Sequence, residues 1–191
     1  LFKVRVCRVD SANISGVQDG KTWATAFSSL QEAVDATYAE GGGEIWVKAG
    51  TYTADGDEVV AMKEGVSLYG GFAGAEHSRS SRDWNANPTI IDAEYARRGV
   101  LGSNNALLDG FTIMRGAVII RDPYSYPYSY EIPGGGGMCN HQCSPTVRNC
   151  IFSDNTAYTP YTYYFSEGCG GAIWGVQSEA RIEGCHFVNN E

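Results

Sequence analysis

The feature that most constrains this chain is a pair of segments that repeat each other in register. Gly136-Gly137-Met138 and Asn149-Cys150-Ile151-Phe152-Ser153-Asp154-Asn155 return as Gly171-Ala172-Ile173 and Gly184-Cys185-His186-Phe187-Val188-Asn189-Asn190. Met138 and Ile173, Cys150 and Cys185, Phe152 and Phe187, and Asn155 and Asn190 therefore all stand 35 residues apart. A weaker earlier copy, Asp109-Gly110-Phe111 through Gly116-Ala117, matches Asn149-Cys150-Ile151 through Thr156-Ala157 at a spacing of 40. A constant motif at unequal spacing means a constant coil that carries loops of different length. Those loops are residues 122–133 and 158–167, which fall at corresponding points of consecutive repeats. Without them about two dozen residues remain per coil, which suits one turn of a parallel β-helix that buries its face only against neighbouring turns. A propeller blade needs roughly 40–50 residues of four-stranded meander, which this pattern lacks. A β-sandwich is the runner-up.

The local signals agree with a solenoid. Ser29-Leu30-Gln31-Glu32 reads as a capping box, and Leu30, Ala33, Val34 and Thr37 share one helical face, so one helix is expected over residues 29–39. Gly41-Gly42-Gly43 stops it. Every later signal is strand and turn. Brief apolar runs are expected as strands at Ile45–Ala49, Val66–Tyr69, Thr89–Ile91, Leu107–Leu108, Phe111–Ile113, Val118–Ile120, Thr146–Val147, Ile151–Phe152, Ala172–Trp174 and Ala180–Ile182. No helix-length segment separates them, so the helical crossovers of a doubly wound sheet are excluded. The expected fold is an all-β, right-handed parallel β-helix with one N-terminal capping α-helix. A single domain spans residues 1–191: an N-terminal strand, the helix and a first coil over 1–56, then further coils over 57–191. The last coil ends straight after a repeat motif, so it is expected to be truncated or covered by a partner, because an open coil exposes backbone groups and apolar side chains.

Charge and cysteine content bound the partners. Lys+Arg 14 against Asp+Glu 22 gives a formal net charge of -8, and no basic run offsets it, which argues against a phosphate backbone as ligand. The longest apolar stretches, such as Gly116–Ile120, fall far short of the ~20 residues a membrane-spanning helix requires. Six cysteines and 24 glycines among few charged residues suit an oxidising compartment. The chain opens on the strand-like Leu1-Phe2-Lys3-Val4-Arg5-Val6, which we read as following a removed export signal.

Three further stretches carry a resemblance: Thr22-Trp23-Ala24-Thr25-Ala26-Phe27 with Leu30-Gln31-Glu32-Ala33, then Glu44-Ile45-Trp46-Val47-Lys48-Ala49-Gly50-Thr51-Tyr52, then Tyr69-Gly70-Gly71-Phe72-Ala73-Gly74. Together they resemble the opening of bacterial right-handed β-helix proteins of the pectate-lyase-like superfamily. Gly-Gly-Ala-Ile at 170–173 and Phe-x-x-Asn at 152–155 and 187–190 resemble the repeats of polymorphic outer-membrane proteins. The resemblance implies a secreted or cell-surface bacterial protein.

Residues able to carry chemistry are few. Lyases of that superfamily use clustered Asp residues for calcium and a basic residue as proton acceptor. Here Asp92, Asp109 and Asp154 are scattered among turns, with Arg97, Arg98 and Arg115 the nearby basic groups, and they read more simply as solvated turn charges. Cys139-Asn140-His141-Gln142-Cys143 offers three zinc-type ligands with Cys150 or Cys169 as a fourth, but lacks a second paired motif. No metal, other cofactor or catalytic residue is expected. Cys139, Cys143, Cys150, Cys169 and Cys185 are read as structural, with Cys150 and Cys185 stacked one coil apart at about 4.8 Å, as bonded or free thiols. Cys7 is read as an unpaired thiol. Trp23, Trp46 and Trp84 are expected to pack the cap and coil exterior, while His77 and His186 read as ordinary surface positions.

Tyrosine placement is the most distinctive feature. Eight of the twelve tyrosines lie in the two loops: Tyr124, Tyr126, Tyr128 and Tyr130 in one, Tyr158, Tyr161, Tyr163 and Tyr164 in the other. Equivalent loops on consecutive coils lie side by side, so an aromatic patch on one edge of the stack is expected, suited to a glycan or a surface protein. The alternative is that the rings pack only on each other. The sequence thus points to a non-catalytic, adhesin-like binding and scaffolding module that self-associates through coil ends. A polysaccharide lyase or glycoside hydrolase and a filament subunit are the alternatives.

Overall fold

A computed structural model of the chain describes residues 5–119, 134–158 and 170–191. Within them the chain winds through about four turns of a β-solenoid in which every strand pairing is parallel. The first sheet stacks β1 (Val6–Val9), β2 (Gly43–Lys48), β5 (Val66–Phe72), β8 (Leu107–Asp109), β12 (Thr146–Arg148) and β16 (Arg181–Glu183). The second stacks β3 (Gly50–Tyr52), β6 (Thr89–Asp92), β9 (Thr112–Met114), β13 (Ile151–Ser153) and β17 (His186–Val188). The third stacks β4 (Glu58–Ala61), β7 (Arg98–Leu101), β11 (Met138–His141) and β15 (Ile173–Val176). A two-stranded fourth sheet joins β10 (Ala117–Ile119) to β14 (Thr156–Tyr158).

Alternation within these short strands builds the core as columns. Ile45, Leu68, Leu108 and Val147 stack in register inside the first sheet. Tyr52, Ile91, Ile113 and Phe152 do so in the second, and Val60, Val100 and Met138 in the third. All are buried. Each such side chain contributes roughly 1.5–3 kcal/mol by leaving water, so the columns rather than any one strand hold the stack together.

The 35-residue register is as expected: Phe152 pairs with Phe187, rings stacked at 5.4 Å, and Met138 pairs with Ile173. Coils free of insertions repeat after about two dozen residues, since Gly43 pairs with Val66 and Ile90 with Thr112. The spacing of 40 is corrected to 39, because Asp109 pairs with Arg148, Thr112 with Ile151 and Ala117 with Thr156. Matching Phe111 to Ile151 joins two apolar residues that face opposite ways. Phe111 is buried at the corner level of Cys150, whereas Ile151 points outward and is exposed. A one-residue slip exchanges the two faces of a strand, so the inward column decides.

The helix α1 runs from Leu30 to Ala39 and lays Leu30, Ala33, Val34 and Thr37 against the first coil. Ser29 caps it by accepting from the Glu32 amide, but of the expected capping box only this half forms. The chain turns out of the helix at Gly41 and Gly42, both at φ +92°, and a Cβ on Gly42 would lie 2.6 Å from the Gly65 carbonyl oxygen.

A second apolar layer lies outside the first sheet. Trp46, Tyr69 and Phe72 are buried there, with Trp23, Val6 and Leu107 against them, and Trp46 stacks on Phe72 at 4.9 Å. The excursion after β5 covers it. Arg79 lies over Tyr69, while Arg82 lies over both Tyr69 and Trp84 and donates to the Gly70 and Asp109 carbonyl oxygens. The tryptophans thus pack the exterior as expected, and a segment whose composition reads as a polar loop is part of the fold.

Candidate binding surface

The two tyrosine-rich insertions leave and rejoin the solenoid at matched points. They depart after β10 and β14, where Ile119 pairs with Tyr158, and they return into β11 and β15, where Met138 pairs with Ile173. Consecutive coils therefore root both loops on one edge, as the repeat predicts. Tyr158 belongs to β14 rather than to the loop and is 60% exposed. Tyr124, Tyr126, Tyr128, Tyr130, Tyr161, Tyr163 and Tyr164 lie outside the described residues, as does Cys169.

The base of these loops is fixed by a polar corner inside the coil. Arg115, Asp154 and Asn189 succeed one another there with φ between 50° and 56°, a left-handed conformation that Asn and Asp tolerate better than most residues. The next residue on each of the last two coils is an inward asparagine. Asn155 is fully buried; its Oδ1 accepts from the Gly116 amide at 2.8 Å, and its Nδ2 donates to the Ile113 carbonyl at 3.0 Å and to Asn190 Oδ1 at 2.9 Å. Asn190 in turn donates to the Phe152 carbonyl. The Phe-x-x-Asn motif is thereby explained: Phe fills the core column and Asn satisfies the corner's backbone.

Where the loops return, His141 and Trp174 stack on consecutive coils at 6.2 Å, both half-buried. They add an aromatic pair beside the loop roots that the sequence reading missed. It placed His141 in a metal hypothesis and Trp174 only in a strand, and pairing them requires knowing which strands of consecutive coils adjoin. A second surface lies at the corner between the first and second sheets. There a groove of about 230 Å³ is lined by Trp84, Thr112, Asn149, Ile151 and His186 among others. A larger cleft of about 690 Å³ lies beside α1, between Arg5, Arg8, Lys21, Glu40, Trp46 and His77.

The carboxylates considered for catalysis are not brought together. Asp109 is bridged by Arg82 at 2.8 Å and Arg148 at 3.1 Å, and accepts from Asn149. Asp92 accepts from Arg115 at the next corner; burial would raise its carboxyl, but the guanidinium and the Glu94 amide outweigh that and hold it below the usual range. Asp154 accepts from Asn189 at 3.4 Å, its one side-chain partner among the described residues. Each acidic group stitches one coil to the next.

The cysteines also divide by place. Cys139 and Cys143 are buried, and burial pushes both thiols up. Among the described residues no three His, Cys, Asp or Glu side chains gather as a metal site, so Cys139, His141 and Cys143 form none with Cys150. Cys7 is a free, half-buried thiol pushed up to about 11, mainly by burial. Cys150 and Cys185 occupy equivalent corners one coil apart, both as free thiols.

No family model matches this chain, and neither the curated proteins nor the solved structures contain a match to it. Among the described residues no helix is long and apolar enough to cross a membrane.

Proposed function

We propose that this chain is a secreted or cell-surface binding and scaffolding module that takes a glycan along the edge bearing its tyrosine-rich insertions. One observation carries the reading: two loops holding seven tyrosines between them are rooted in register on consecutive coils, at Ile119 and Tyr158 and again at Met138 and Ile173. Loops of this length are usually functional or unstructured, and tyrosine joins a rigid apolar ring to a polar tip, which fits a sugar face. The exposed Tyr158 and the His141–Trp174 stack extend the same aromatic edge. The resemblance to pectate-lyase-like and polymorphic outer-membrane solenoids supports the extracellular setting. Association through coil ends fits the half-exposed Ile182 and Phe187 on the last described coil, and light scattering at high concentration tests it: a strict monomer excludes it.

The binding reading is tested by replacing Tyr124, Tyr126, Tyr161 and Tyr163 together with Ala and probing glycan arrays and intact cells. Loss of glycan binding with an unchanged melting curve supports it. Binding to protein targets alone would replace the glycan with a protein partner, and unaltered binding of both kinds would reduce the tyrosines to packing.

A further inference from the structure

We infer that Cys150 and Cys185 form a redox couple that closes into an inter-coil disulfide, locking the last described coil to the one before it. The inference is independent of what the tyrosine edge binds. Because Ile151 pairs with His186, the two cysteines that precede them share one corner on adjacent coils, and the His186 amide donates to the Cys150 carbonyl at 2.9 Å. Their surroundings match. The Cys150 thiol faces the Arg148 and Leu108 carbonyl oxygens, and the Cys185 thiol faces those of Glu183 and Val147. Both sulfurs therefore point the same way into the coil, one above the other.

Adjacent parallel strands are spaced about 4.8 Å apart, inside the Cα range that disulfides span, but the Cβ atoms must close by roughly 1 Å. Neither cysteine belongs to a strand, and each follows a left-handed turn residue, Asn149 at φ 51° and Gly184 at φ 59°. The adjustment therefore falls at the turn that opens each strand rather than within β13 or β17.

The chemistry of the pair is asymmetric. Cys150 is fully buried, which raises its thiol, whereas Cys185 is half-buried and its thiol is lowered by the neighbouring Cys150. The thiolate is the attacking species and an external disulfide reaches the half-buried sulfur first, so Cys185 is the nucleophile and Cys150 the resolving thiol. With a low-molecular-weight disulfide as oxidant, the Cys185 thiolate attacks one of its sulfurs, the S–S bond breaks, and the other half leaves as thiolate. Cys150 then loses its proton to solvent and attacks the Cys185 sulfur of the mixed disulfide, forming the Cys150–Cys185 bond and expelling the second thiolate. Two cysteine sulfurs are oxidised and one external disulfide is reduced to two thiols.

The test uses the whole chain in buffers of increasing ratio of oxidised to reduced glutathione, followed by alkylation of free thiols and tandem mass spectrometry. A tryptic peptide starting at Asn149 also carries Cys169, so the mapping is run on wild type and on Cys169→Ser. The expected result is the loss of two alkylatable thiols, a linked Cys150–Cys185 peptide in both proteins, and unchanged labelling of Cys7, Cys139 and Cys143. Prior addition of urea is expected to abolish the preference for this pair. Persistence of both thiols at every ratio, or joining of Cys185 to Cys7, Cys139 or Cys143 in the folded chain, overturns the inference.

Discussion

Replacing Asn155 by Ala removes the buried amide that serves three backbone and side-chain partners at once. The side chain meets the Gly116 amide, the Ile113 carbonyl and Asn190 Oδ1 at 2.8–3.0 Å, in a position with no solvent exposure. A buried group stripped of its partner costs about 1–3 kcal/mol, and Asn190 is able to turn toward water, so the two backbone groups dominate. The expected loss is about 3–5 kcal/mol, a large share of the roughly 5–15 kcal/mol that holds a typical domain. Urea denaturation followed by circular dichroism measures it. Hydrogen exchange locates it, because in a stack that contacts only its neighbours the opening should concentrate in β9, β13 and β17 and spare β2 and β5. A matched Asn190→Ala change on the outer coil should cost less, since that side chain is half-buried. If Asn155→Ala costs under about 1 kcal/mol, or if exchange quickens uniformly along the chain, the internal asparagine is not what closes this corner.

Two other changes probe the same architecture. Phe152→Ala empties a fully buried column position and should cost about 3–5 kcal/mol by chemical denaturation, whereas Phe187→Ala, 51% exposed, should cost less than half as much; equal costs would show that the last coil is covered in solution. Asp92 has a carboxyl lowered in the folded chain, so its contribution is present above the unfolded carboxylate value and fades as pH falls through the folded one. The stability gap between wild type and Asp92→Asn, followed by thermal melts from pH 7 to pH 2, should therefore shrink toward acid, and a gap that widens would contradict the pairing with Arg115.

How much of this was legible in the sequence depended on whether a residue's direction could be read along with its polarity. Phe152 and Phe187 were, because the surrounding motif repeats without a gap. Phe111 was not: its apolar character suggested Ile151 as partner, and only the inward column shows that Thr112 takes that place. β4 and β7 escaped notice because Glu58-Val59-Val60-Ala61 and Arg98-Gly99-Val100-Leu101 open on a charge and hold only two or three apolar residues each, even though Asp55-Gly56 and Gly102-Ser103 mark turns beside them. The outer layer of Trp46, Tyr69 and Phe72 was hidden for a further reason. A parallel strand covered on both faces loses its alternation and reads as a nearly continuous apolar run. Nothing in the composition of residues 73–88 announces that they are its cover. The tyrosine edge was legible as a location, since the loop roots follow from the repeat, whereas the aromatic pair of His141 and Trp174 required knowing the third sheet.

The corner that carries both insertions separates length from order. Consecutive turns of 39 and 35 residues reach the same ladders, and the difference is absorbed between the fourth sheet and the third. Hairpins of foreign sequence grafted there, of whatever size, would leave Phe152 over Ile113 and under Phe187. The scaffold is thus indifferent to the length and sequence of what leaves it at that one seam, and the winding beneath stays unaltered.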